Sequence, residues 1–142
     1  MLLYRISHGL WEVFAVCDSD GNSQVMDTLV TLQNGTKAQA SLAVKMRQLL
    51  EKWVPSQPQG PQTHNTNISK KLTDNIFEFK KGAKKGPKIR VLWFYGDGKR
   101  VVCTICFLKT NEIKQKDLDD AEDIRKEYYK DLAAGNITEV GE

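Results

Sequence analysis

Three cations on strand-forming stretches carry the chemistry this sequence offers: Lys80, Arg90 and Lys109. Lys80 ends Ile76-Phe77-Glu78-Phe79-Lys80, where alternation puts Glu78 and Lys80 on one side and Phe77 and Phe79 on the other. Arg90 opens the next strand, and Lys109 closes the one after it. In an antiparallel hairpin the start of one strand lies beside the end of its partner, so Arg90 and Lys109 are expected as neighbours. Arginine can grip a phosphate through two parallel hydrogen bonds, and lysine can stabilise charge building on its oxygens. A lysine whose pKa is lowered by crowded like charge can also move protons. Tyr128 or Tyr129 could add a proton donor or a stacking surface, and the sequence leaves open which of the two faces the site. Glu78 reads as a base or, more commonly for a carboxylate beside a lysine, as half of a structural ion pair with Lys80.

The net charge of +3 hides a strong asymmetry. Residues 1–68 are balanced; residues 69–109 hold eleven Lys/Arg against three Asp/Glu, and residues 110–142 hold five against ten. A basic middle followed by an acidic end suggests a polyanion footprint on the central strands, with Lys81, Lys84, Lys85, Lys88 and Arg100 as further contacts. His8 and His64 lie apart, in the N-terminal segment and a proline-rich loop. Cys17, Cys103 and Cys106 make an odd count that fits a reducing compartment. Cys103 and Cys106 have C-x-x-C spacing but sit in an apolar strand, where residues three apart point to opposite faces. They read as buried structural thiols, and no metal site or cofactor is expected.

These side chains need a scaffold, and 142 residues at 40% hydrophobic content suffice for one domain, read as residues 1–142. No apolar run is long enough to span a bilayer and no secretory pattern opens the chain, so a cytoplasmic protein without membrane contact is expected. Leu10 to Val16 reads as a first strand, with a turn over Asp18 to Asn22. From Ser23, Val25, Met26, Leu29 and Leu32 recur at helical spacing up to Asn34-Gly35. Thr36 with Gln39 forms a capping box, opening a helix with the apolar stripe Ala38, Leu42, Met46, Leu49, Leu50 and Trp53, and the short joint predicts a helical hairpin. Pro55 to Lys71 reads as an exposed mobile loop. Ile89–Tyr95 and Arg100–Lys109, joined by Gly96-Asp97-Gly98, form a β-hairpin. A last helix begins near Asp117 and packs through Leu118, Ala121, Tyr128 and Leu132; the tail beyond Gly135 is expected to fray. Val91-Leu92-Trp93-Phe94 is apolar on both strand faces, which predicts a sheet covered by the hairpin on one side and the last helix on the other.

In this order the residues resemble the phage-derived HigB-like branch of the RelE toxin superfamily. The matching stretches are Lys71-Leu72, Ile76-Phe77-Glu78-Phe79-Lys80, Ile89-Arg90-Val91-Leu92-Trp93-Phe94, Cys106-Phe107-Leu108-Lys109, and Ala121, Arg125 and Tyr128. Thr110 stands where the family usually has a second lysine, and Ile105 where many members have a histidine. The resemblance implies an α+β, RelE-like fold: a small antiparallel or mixed sheet of about four strands with an N-terminal helical hairpin and a C-terminal helix. It also implies a type II toxin, a metal-independent endoribonuclease that cuts mRNA, often on the ribosome, and is silenced by a HigA-like antitoxin with a helix-turn-helix. Under that reading the 2′-hydroxyl attacks the adjacent phosphate while Lys80, Arg90, Lys109 and Tyr128 act on it. The alternative is a non-catalytic phage or mobile-element protein that binds RNA or a host protein through the same basic face.

Overall fold

The computed structural model describes residues 1–61, 67–82, 85–109 and 112–141. The signals that start the first two helices are the ones visible in the sequence, whereas the last helix starts at Gln115, two residues before the expected Asp117. Ser23 accepts the Met26 N–H at the head of α1 (Gln24–Gln33). Thr36 and Gln39 complete both halves of the capping box at the head of α2 (Lys37–Gln48). The helix then widens into a π-helical turn, Leu49–Trp53, and ends in a last α-helical turn, α3 (Val54–Ser56). Pro55 has no N–H to give Glu51, so the ladder loosens where the ring enters. The Pro55 carbonyl, in the last turn of the helix, accepts the Leu10 and Trp11 N–H groups, tying the hairpin to the sheet.

One mixed sheet of seven strands runs in the order β3-β4-β5-β6-β2-β1-β7, more than the four expected. Its members are β1 (Leu2–Ser7), β2 (Glu12–Cys17), β3 (Ser69–Lys71), β4 (Phe77–Lys81), β5 (Lys88–Tyr95), β6 (Arg100–Lys109) and β7 (Thr138–Gly141). The extra strands correct three readings. Leu2 to Ser7 is a strand that precedes the expected first one and pairs antiparallel to β2, Ser69 to Lys71 leaves the expected loop to pair with β4, and Thr138 to Gly141 zips parallel onto β1 where a frayed end was expected. All four β7 residues are exposed, so backbone pairing rather than burial fixes that strand. The β5–β6 hairpin forms as read, and β6 also pairs parallel with β2.

The α+β class holds, with the helices on opposite sheet faces. One core unites Val25, Leu29, Met46, Leu50, Val91 and Trp93 beneath α1 and α2; the other unites Phe14, Leu92, Phe94, Val102, Ala121 and Tyr128 beneath α4 (Gln115–Ala133). At Thr104 the β5–β6 register slips: Leu92 pairs with Ile105 but Trp93 pairs with Cys103. The slip returns Cys106 to the face of Cys103, so both thiols enter the hairpin-side core and the expectation of opposite faces fails. Burial holds both protonated, with Cys106 pushed up to about 12 and Cys103 higher. They pack as small apolar groups.

Candidate nucleic-acid interface

Register gathers the cations at one end of the sheet, on the α4 face. Lys80 pairs with Arg90, Arg90 with Phe107, and Lys88 with Lys109. Directly opposed residues in antiparallel strands point the same way, so Lys80, Arg90, Lys88 and Lys109 share a surface. Arg90 and Lys109, expected as direct neighbours, sit diagonally, two register positions apart. Lys70 joins from β3, opposite Glu78.

Within that surface the cations differ in freedom. Arg90 is buried, and its Nη1 donates to Glu78 Oε2 at 2.9 Å, with Glu78 only 1% exposed. Glu78 is thus half of an ion pair, but with Arg90 rather than Lys80. The Arg90 Nε is buried with no hydrogen-bond partner among the described residues. Lys109 Nζ donates to Asp117 Oδ2 at 2.6 Å, in the first turn of α4, and lies 4.8 Å from the centre of the Phe107 ring. Asp117 also accepts the Lys114 N–H, so one carboxylate both caps the helix and holds the lysine. Lys80 is half-buried and in no ion pair among the described residues. Burial holds its ammonium below the ordinary lysine range, Glu78 works against that, and Arg90, Lys70 and Lys88 add to it. A lysine of this kind combines charge with an accessible neutral form.

Other expected contacts fall elsewhere. Tyr128 is fully buried under α4, where its ring meets Phe94 edge-on and its hydroxyl accepts the Asp97 N–H at 3.3 Å. Eleven residues of helix separate it from Asp117, about 16 Å of rise, so it belongs to the opposite end of the sheet. Tyr129 is at that end too, donating to the Tyr95 carbonyl at 2.7 Å. The helix stripe had been read correctly, but a stripe does not tell a core position from a site position. Arg100 begins the strand that Lys109 ends. It binds Glu139 at 2.8 Å and Glu12 at 3.5 Å, and lies over the Phe14 ring, which makes it a clasp on β2 and β7. Lys81 points to the hairpin face, one residue out of phase with Lys80. Lys85 is exposed in the β4–β5 connection, while Lys84, His64 and Thr110 lie outside the described residues. Ile105 is half-buried against the α4-side core.

Two members of the surface escaped the sequence reading. Lys70 falls in the segment expected as a loop, and only its pairing with Glu78 brings it to the site. Phe107 is a half-buried aromatic among cations, suited to stack a base. Its spacing of two from Lys109 on one strand was the available signal.

The α+β class agrees with the fold that the resemblance to the RelE/HigB-like toxin superfamily implies, with seven strands in place of about four. Residues 35–128 match the family model described as Phage derived protein Gp49-like (DUF891). The match covers well over half of the chain, which belongs to the Gp49-like family within that superfamily. No curated protein matches the sequence. Among the described residues, no helix is long and apolar enough to cross a membrane.

Proposed function

We propose that this chain is the toxin of a type II toxin–antitoxin system, of the HigB-like branch, and that it cleaves mRNA without a metal. The observation that carries the reading is the register pair Lys80–Arg90 beside the pair Lys88–Lys109, which sets four cations at one end of the sheet, Arg90 buried among them. A backbone phosphate bound there meets charge on several sides, with Phe107 as a stacking surface for a flanking base. Neutral Lys80 takes the 2′-hydroxyl proton as the 2′-oxygen bonds to phosphorus. The phosphorus–5′-oxygen bond breaks, and the Lys109 ammonium protonates the leaving oxygen. Arg90, held by Glu78, supplies fixed positive charge behind the reacting phosphate. Messages on ribosomes are the expected substrate, and a helix-turn-helix antitoxin is the expected silencing partner.

The second reading is RNA binding without cleavage. It is favoured by the commitment of Arg90 to Glu78, of Lys109 to Asp117 and of Tyr128 to the core. Induced expression followed by mapping of message 5′ ends separates the two. Cleavage that disappears in both Lys80→Ala and Lys80→Arg, with RNA affinity kept in Lys80→Arg, supports the nuclease. Intact message, with strongly salt-dependent RNA binding by the wild-type chain, supports the binder.

A further inference from the structure

On the sheet face turned away from the proposed RNA site, a cleft of about 350 Å³ opens between the C-terminal half of α2 and the β3–β4 edge. Its floor is apolar: Leu49, Trp53 and Ile68. Lys45, Lys52 and Lys81 stand around it, and no acidic side chain lines it. Among the described residues none of the three lysines forms an ion pair, whereas Arg47, on the neighbouring face of α2, pairs with Glu51 at 3.2 Å. The acidic segment 110–142 does not neutralise them, because α4 packs on the opposite face. The π-helical turn is one wall: Leu49, Lys52 and Trp53 all belong to it, so the widened turn presents apolar and basic groups together.

We infer that this cleft binds an acidic segment of a partner protein that inserts a large apolar side chain. Lys45 and Lys52 lie two turns apart along one helix, so the groove runs parallel to α2 and fits an elongated segment. The apolar floor, with Trp53 as its one partly covered ring among the described residues, suits a Leu-like anchor better than a nucleobase. Three flexible point charges around an apolar floor complement carboxylates flanking such an anchor. Because the cleft and the Lys80 surface occupy opposite sheet faces, the partner can be held while RNA is bound.

The test is selection of a random displayed-peptide library against the full chain, with binding of the selected peptides and of a short oligouridine compared on wild type and Lys45→Glu/Lys52→Glu. Both positions are exposed, so the fold should survive, and circular dichroism checks that. Expected are peptides of net negative charge with a large apolar residue, quenching of tryptophan emission on binding, and a loss of at least about tenfold in affinity on the double variant. Neutral or basic winners, or winners indifferent to the double variant, would overturn the inference. So would loss of oligouridine binding or RNA cleavage in the folded double variant, which would assign the cleft to RNA. Failure here leaves the Lys80 assays unaffected, and failure of cleavage leaves the peptide result unaffected.

Discussion

At the scale of single residues, the Glu78–Arg90 pair changes how a mutation at this site must be read. Removing one partner of a buried ion pair leaves the other charge uncompensated, so Arg90→Ala is expected to destabilise the fold by about 3–5 kcal/mol in urea denaturation. Glu78→Leu combined with Arg90→Met should recover most of that, since an apolar pair can replace buried charges without loss. Loss of activity in Arg90→Ala alone is therefore no evidence of a catalytic role. Lys80 is the more informative position. Its pKa is held below 10.5 in the folded chain, so between that lowered value and 10.5 the unfolded chain binds more protons and stability rises with pH. Lys80→Met should flatten that slope in denaturation measured at alkaline pH. If Lys80 is the base, the cleavage rate should climb through the same lowered value, and the climb should vanish in Lys80→Arg. Asp117 behaves in the opposite sense. The hydrogen bond from Lys109 pulls its pKa below 3.8, so its contribution is present above 3.8 and lost as pH falls through the lowered value.

At the scale of elements, a side chain completes the sheet. Past Cys103, where pairing with β2 ends, Gln24 at the head of α1 takes over the β6 edge: its amide donates to the Cys106 carbonyl and accepts the Cys106 N–H, each at 2.7 Å. Gln24→Ala should cost about 1–3 kcal/mol, more than the exposed Gln48→Ala, because it strands two backbone groups at once. Under α4, a Cβ at Gly96 would sit 2.9 Å from the Tyr128 hydroxyl, so Gly96→Ala is expected to lower stability by about 1–3 kcal/mol through overpacking. Tyr128→Phe should leave both fold and cleavage nearly intact. A Tyr128→Phe chain that keeps its stability yet loses cleavage would place that hydroxyl in the reaction and contradict its location. The helices and the β4–β5–β6 strands were legible because caps, periodicity and turn residues are local. Strands β1, β3 and β7 were not, since each is defined by distant pairing, and β7 has no buried face to leave a pattern. The Thr104 slip and the fate of Tyr128 were equally hidden, because both depend on how one element settles against another. For the site, the convergence of Lys80, Arg90 and Lys109 could be read from strand order, while the ion pairs that restrain two of them could not.

At the scale of the whole molecule, the two sheet edges are unlike: β3 is three residues long, while β7 covers β1 with exposed side chains. Truncation after Gly135 should leave most of the core intact but open the β1 edge and release Arg100 from Glu139. The expected outcome is concentration-dependent association in sedimentation, with little change in the urea midpoint. RNA binding should weaken steeply with salt, and Lys88→Ala should reduce the slope of log affinity against log salt by about one. The parallel β2–β6 pair joins Glu12 to Arg100, whereas β4, β5 and β6 follow one another in sequence. In kinetic terms the chain holds a fast meander and a slow long-range closure. Lys80, Arg90 and Lys109 all belong to the meander, so conservative substitutions in β5 and β6 should slow folding, while those in β1 should chiefly speed unfolding. The cationic end would then take shape before β1 and β2 close the sheet, and a nascent chain would carry its exposed positive charge ahead of its finished fold.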